Sequence, residues 1–526
     1  MARRKQGGGS NRSLITLQAD WSGGSHQDKP RDQIPANAAW LLTDVFPDGN
    51  FETGSGFPLR SRNGWVRSCA AMSASSATSS SARSVGYAAF STTAGGSTAR
   101  ILGVDNNGIL FKWTPAATAA SPGSDGSATQ VGTMFTGAPV QPPVFYRNYA
   151  YFLAPDNNTG YRYDNTTLSV ISGTPPKGKV GCVFKDHLVL AHAPDGTGEA
   201  RVWFSDAGDP TTWNTAADGQ WLDCSGPVNA IVTFQNMILA FQDGFTERLR
   251  GDVIPGVLNS DFVREPLFPL GTRSASSVAV SKEGVIFANA DGVFMSDGLQ
   301  AYDLTKLAGM SEYWRETLKP AGANVNVSGA VYKDWYVFSV ATTPYLSGAI
   351  NLTRHQFVRF SNLQARMMVT TPQTAYASNP PRLLMAEATA PNISDIGVML
   401  DEVSAYTNVD GNGTLVAPSV DTRYYQPSDM NPKRWRSLYL TGGGDVPAAG
   451  TTIKYSDTPH VEPATTLTST HTLAGAPTRS RVNLGKASRG FSFRVTPAFS
   501  ASATSTTGFH LDAIEAEVTP LYGRRR

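Results

Sequence analysis

At 526 residues the chain exceeds what one ordinary hydrophobic core holds, so two or more domains are expected. Charged residues make up only 16% of it, below the roughly 25% of typical soluble domains, and 50 Gly with 33 Pro favour short strands and turns over long helices. A net charge of +2 excludes a global electrostatic drive toward nucleic acid or membrane, and the wide spacing of Cys69, Cys182 and Cys224 excludes a disulfide framework or a zinc knuckle.

The N-terminus carries Arg3, Arg4 and Lys5 and then runs into glycine and serine with no apolar stretch behind it, unlike a signal peptide. No window approaches the ~18 apolar residues that span a membrane. The expectation is a protein made in a cytoplasm, with no membrane insertion and with Asn157 and Asn165 as turn residues. Residues 1–52 read as an extended arm that orders only against the rest of this chain or a neighbouring subunit.

From about residue 60 to 400 one pattern recurs. An alternating apolar strand meets a polar turn, and a second apolar strand follows. The turns fall at Asn107, Asn148, Asp186, Asn236, Glu283 and Asp334, with a weaker copy near Asn379. Short polar turns between alternating runs predict β-hairpins. A period of roughly 40–50 residues predicts the blades of a β-propeller, because one small sheet cannot bury both faces alone. We assign residues 53–410 to a propeller; six or seven blades fit the spacing and six or so are favoured, with stacked β-sandwiches as the alternative.

Helical signals are scarce: one short helix is expected over 309–318, capped by Ser311. Ser/Ala/Thr-rich tracts at 69–84 and 115–129 read as surface loops. Beyond residue 410 the texture changes to five or more strands, among them 433–440, 451–455, 481–484, 490–495 and 509–518. They predict a C-terminal β-sandwich or jelly-roll-like domain over 411–526, with Gly442–Gly444 in a hairpin loop. The fold class expected is all-β.

Two segments carry a resemblance. Leu59–Trp65 (LRSRNGW) resembles an Arg-x-Gly-aromatic lead-in to a propeller, through Arg62, Gly64 and Trp65. Arg201–Trp213 (RVWFSDAGDPTTW) resembles a blade segment through Ser205, Gly208, Asp209, Pro210 and Trp213. Both are similar to the propeller-bearing tail nozzle and packaged-DNA stabilisation proteins of short-tailed bacteriophages, although Asn63 stands where Pro is common in that family. The C-terminal strand followed by Thr519-Pro-Leu-Tyr and a basic tail is similar as well.

The resemblance implies a structural virion protein and not an enzyme. It implies a ring, by analogy a hexamer, that joins portal and adaptor to the distal tail and conducts and retains packaged double-stranded DNA. Arg3, Arg4, Lys5, Arg524, Arg525 and Arg526 would then touch phosphates or a partner without reading sequence. A receptor- or glycan-binding propeller at a tail tip is the alternative, and a propeller glycosidase a further one.

Chemistry is otherwise sparse. Ser205–Trp213 partly matches the Asp-box of sialidase propellers, itself a turn staple. Asp206, Asp209, Asp243 and Glu247 form the nearest acidic set for glycoside hydrolysis, which needs two carboxylates flanking a cleft. His187 and His192 lie five apart on an expected strand and point to opposite faces. No catalytic residue, metal site or cofactor is expected.

Overall fold

The computed structural model describes residues 13–47, 59–62, 64–73, 81–91, 97–116, 123–135, 137, 139–155, 159–193, 198–216, 219–318, 326–342, 346–371, 381–400, 406–407, 410, 412, 414, 416–426, 432–445, 451–459, 461–467, 474–497, 504–505 and 509–521. The fold is all-β, built of many small sheets.

Between residues 82 and 395 seven antiparallel sheets follow one another, each with its strands in chain order. The first is made by Ala82–Ser91, Ser97–Asp105, Ile109–Trp113 and Thr129–Thr133; the second by Val144–Tyr146, Tyr149–Phe152, Tyr161–Tyr163 and Leu168–Val170. The third holds Val180–Phe184, His187–Ala193 and Gly198–Asp206, with Asp209–Trp213 and Trp221–Asp223 both pairing the last of these. Ala230–Phe234, Met237–Phe241, Thr246–Arg250 and Val263–Phe268 make the fourth; Ala279–Val280, Val285–Ala288, Val293–Ser296 and Ala301–Asp303 make the fifth. Val327–Tyr332, Trp335–Val340, Leu346–Asn351 and Phe357–Phe360 begin the sixth. Ala365–Thr370, Leu383–Glu387 and Ile393–Asp395 form the seventh, to which Val66 adds an antiparallel bridge at Asp395.

Turn chemistry explains the hairpins. The pairs Tyr146↔Tyr149, Phe184↔His187, Phe234↔Met237 and Tyr332↔Trp335 each enclose two residues. Arg147 and Asn148 (φ 47° and 65°) and Lys185 and Asp186 (φ 44° and 63°) take the left-handed values that match strand twist in a type I′ turn.

Alternation then sorts the faces. In the first sheet Val85, Ile101 and Phe111 pack against Leu384, Ala386 and Ile393 of the seventh, while Leu102, Val104 and Leu110 pack against Ala150 and Phe152 of the second. Every further neighbouring pair shares a core in the same way, through Tyr151 with Trp203, Phe204 with Phe241 and Phe287, Ile286 with Phe338, and Tyr332 with Met385. The chain of cores returns to its start.

Seven sheets lie at the upper end of the six or seven units expected. Asn107 closes the second hairpin of its sheet, not the first, and the strand Ala82–Ser91 begins inside the tract 69–84 expected to be a loop. Cys69, Met72 and Asp125, also within the expected loops, are buried. Asn379 and Pro380 lie outside the described residues.

Apart from the short pair Tyr406–Thr407 and Thr504–Ser505, the remaining strands fall in two sheets that enclose one core. The sixth sheet continues through Leu41–Thr43 into Ser419–Asp421, Ser492–Pro497, Thr451–Ser456 and Thr465–Thr466, nine strands in all. Facing them are Val45–Pro47, Leu59–Ser61, His510–Pro520, Lys433–Asp445 and Ala474–Ser488, with Ser13–Gln18 also on His510–Pro520. Leu17, Trp21, Leu42, Val45 and Leu59 share their core with Trp435, Leu440, Phe493, Leu511 and Ile514. Residues 13–47 are thus strands and turns built into this unit, which a boundary at 52/53 would sever. Gly442 lies inside a strand, not in a loop; a Cβ there would approach the His510 carbonyl oxygen to 2.4 Å.

Two short helices, α1 (Leu304–Leu307) and α2 (Ser311–Leu318), follow the fifth sheet. Ser311 is the first residue of α2 and its hydroxyl makes no hydrogen bond, so it is not the cap. Asp28 does that work from the N-terminal segment, its Oδ1 accepting the Glu312 amide at 2.9 Å. Among the described residues no helix is long and apolar enough to cross a membrane.

Candidate functional site

The first strands of all seven sheets begin beside one cavity of about 290 Å³. Arg83 comes from the first sheet, Val140 precedes the second, Lys179 the third and Asn229 the fourth. Ser274–Ser276 lead into the fifth sheet, Asn326 and Ser328 start the sixth, and Ala365–Met367 start the seventh. Arg83 and Lys179 are half-buried, and Arg273 and Arg366 exposed. Arg273 is paired with Asp243 of the fourth sheet's following turn. Burial and the nearby Lys179 ammonium both lower the pKa of His192, whose Nδ1 lies 2.8 Å from the Val228 carbonyl. The lining is rich in hydrogen-bond donors and holds no carboxylate.

Arg62 is fully buried in an ionic cluster and is not among the residues lining this cavity. Its Nε donates to Asp44 Oδ1 at 2.5 Å, and Nη1 and Nη2 reach Asp410 Oδ1 and Oδ2 at 2.6 and 2.8 Å. Nη2 also donates to the Ser361 carbonyl at 3.1 Å. Burial works against the guanidinium's charge, but the two carboxylates outweigh it and hold its pKa above the ordinary value. Gly64 follows, and Trp65 is buried against Phe360 and Leu383, its amide donating to Asp410 Oδ1 at 3.2 Å. Asn63 lies outside the described residues.

A second cluster centres on Arg382 of the seventh sheet. It binds both oxygens of Asp125 at 2.9 and 2.7 Å, Asp395 Oδ2 at 2.7 Å and Ser68 Oγ at 2.8 Å. Cys69 is beside it, and burial pushes its thiol far up, as burial pushes Cys182 up to about 12. All three cysteines are free and buried.

The segment 205–213 is a turn staple between the second and third sheets. Ser205 Oγ accepts the Leu188 amide at 2.9 Å, and Gly208 (φ 72°) donates its amide to the Asp186 carbonyl at 2.8 Å. Asp209 Oδ1 accepts from the Thr211 amide and hydroxyl at 2.9 and 2.6 Å. Trp213 Nε1 donates to the Pro210 carbonyl at 3.0 Å while its ring packs with Tyr151, Leu190 and Trp203.

Asp206 and Asp209 are cross-strand partners, and the carboxylates of the acidic set are each engaged by other groups. Asp206 accepts from Gln220 at 2.6 Å, Asp243 is bound by Arg273, and buried Glu247 accepts from Ser225 Oγ at 2.6 Å and Gln242 at 2.7 Å. His187 Nδ1 contacts the Ser205 carbonyl at 2.6 Å. Among the described residues no group of three or more His, Cys, Asp or Glu could hold a metal ion. The basic residues Arg3, Arg4, Lys5 and Arg524–Arg526 lie outside the described residues, but their attachment points are defined: Ser13 pairs with Val518, so both tails leave one end of one sheet.

Hydrogen bonds from Arg147 depress the Asp186 carboxyl, those from Thr211 and Thr212 depress Asp209, and those from Arg273 depress Asp243. A carboxylate with a depressed folded-state pKa adds stability above its unfolded value, about 3.9, and loses it as pH falls through the folded value. Stability is therefore expected to hold down to about pH 4 and to fall below it. Urea titrations across that range check this; Asp209→Asn should make the acid limb shallower, and an unchanged slope would remove Asp209 from the account.

Sequence reasoning missed the cavity cations. Their one signal was a basic residue at or just before the first strand of several repeats.

No family model matches the chain, and no curated protein matches it. Among solved structures, a crystal structure of BBS1N in complex with ARL6DN is 13% identical, covers 64% of this chain and 96% of its own, and aligns with a TM-score of 0.35. The extracellular domain of the hybrid two component system BT4673 from B. thetaiotaomicron is 10% identical over 85% of this chain and 62% of that one, with a TM-score of 0.41.

Proposed function

We propose that the chain is a seven-bladed β-propeller welded to a β-sandwich, and that it is a structural component of a bacteriophage tail. The closed circuit of cores and the single cavity shared by seven first strands support the propeller. Val66 from the N-terminal side would complete the seventh blade. The likeness of residues 59–65 and 201–213 to tail nozzle and packaged-DNA stabilisation proteins supports the place in a tail, and both segments here do structural work.

The observation that carries the reading is the shared origin of the two basic tails. Ser13–Gln18 and His510–Pro520 are antiparallel neighbours, so Arg3-Arg4-Lys5 and Arg524-Arg525-Arg526 are tethered to one place. In a ring of copies, a hexamer by analogy, each subunit would contribute both clusters to one collar. Such a collar would meet duplex phosphates or an acidic neighbour without sequence specificity. The nine-stranded sheet suits a body that keeps its shape while the genome passes. Function would lie in assembly with portal, adaptor and distal tail in the virion, without turnover.

Negative-stain imaging of the purified chain, alone and with a portal–adaptor complex, tests this. Rings or docked subunits are expected, and substituting the six terminal basic residues with Gln should lower duplex binding and its salt dependence. Monomers that never join virion proteins, or cleavage of glycans by the isolated chain, would overturn it.

A further inference from the structure

The cavity at the seven strand starts brings together four cations that are far apart in sequence: Arg83, Lys179, Arg273 and Arg366. Asp243 is paired with Arg273, and Lys179 and Glu199 both act on the charge of His192. Lys179 and Arg366 are like charges on separate elements of this lining, and such charges repel unless an anion lies between them. A second observation points the same way. Ser328 is 2% exposed and lines this cavity, yet its hydroxyl has no hydrogen-bond partner. Buried hydroxyls ordinarily find one, and a missing partner at a polar cavity marks a place for a ligand.

We infer that this cavity is a binding site for a small phosphate-class anion, of the size of phosphate or pyrophosphate. Guanidinium forks grip such oxyanions bidentately, and Lys179 adds a point charge. At about 290 Å³ the space takes a small anion and excludes a DNA duplex, whose major groove alone is about 12 Å wide. An anion held there ties the sheets together at their inner ends, so binding stabilises the folded state. The site needs only this chain's own fold and stands apart from any role in a tail.

Calorimetric titration of the full chain with sodium pyrophosphate at constant low ionic strength tests the inference. Saturable one-site binding is expected, with a rise in Tm. Lys179→Gln combined with Arg366→Gln should weaken it at least tenfold, with Arg83→Gln on another sheet as a second variant should that pair not fold. Lys282→Gln, at an exposed turn, should leave affinity unchanged. A short DNA duplex added in competition separates a free anion from backbone phosphate and should not displace pyrophosphate. Absence of saturable binding to the unmodified chain, equal affinity in the cavity variants, or displacement by duplex would each overturn the site.

Discussion

Replacing Arg62 with Met is expected to remove about 3–5 kcal/mol of folding stability, because it strands the buried Asp44 and Asp410 carboxylates without a counter-charge. Both ends of the interaction lie far apart in sequence. Asp44 follows the strand Leu41–Thr43, Asp410 follows the seventh sheet, and the Ser361 carbonyl comes from the end of the sixth. The cluster therefore locks the N-terminal segment to the sheets on either side of it. Arg62→Lys should also be costly, since an ammonium offers no planar fork to serve two carboxylates and a carbonyl together. Urea denaturation followed by tryptophan fluorescence reads the loss. A change under about 1 kcal/mol would mean that water reaches these carboxylates and that the pair behaves as a surface bridge.

Trp435→Ala is expected to cost a similar 3–5 kcal/mol through the cavity it leaves. Trp435 is fully buried, meets Phe491 edge-to-face at 5.2 Å, and donates from Nε1 to the Ser488 carbonyl at 3.2 Å. Its core is shared by Leu17, Trp21 and Leu42 near one end of the chain and by Leu511 and Ile514 near the other. Loosening it should expose residues 13–47 to protease together with 433–520, since neither set has a core of its own. Cleavage confined to 433–520, with 13–47 still protected, would show that the N-terminal strands are held by the sheets of residues 82–395 alone.

The hairpins were legible in the sequence because their cause is local. Two polar residues between alternating runs demand a tight turn with left-handed backbone values, and Arg147-Asn148 and Lys185-Asp186 adopt them. The short helix after Gly309 was legible for the same reason, but its cap was not: Asp28 arrives from a distant segment. The staple at 205–213 could be read as a turn, while its place against the second sheet could not.

Local patterns say that a face is buried and leave open what buries it. From the sequence alone came the all-β class, the repeated hairpins and the separate texture of the C-terminal strands. Tertiary structure decided the count of seven, since the last sheet has a long gap between its first two strands and borrows Val66. It also decided that residues 13–47 and 59–61 complete the C-terminal unit, because Ser13–Gln18 finds its partner some 500 residues away at Ile514–Val518. Strand edges carry backbone donors and acceptors common to every residue, so no side-chain signal announces such a pairing. The cavity cations follow the same logic: each is an ordinary basic residue in its own stretch of chain, and only the tertiary arrangement of the sheets brings them to one cavity.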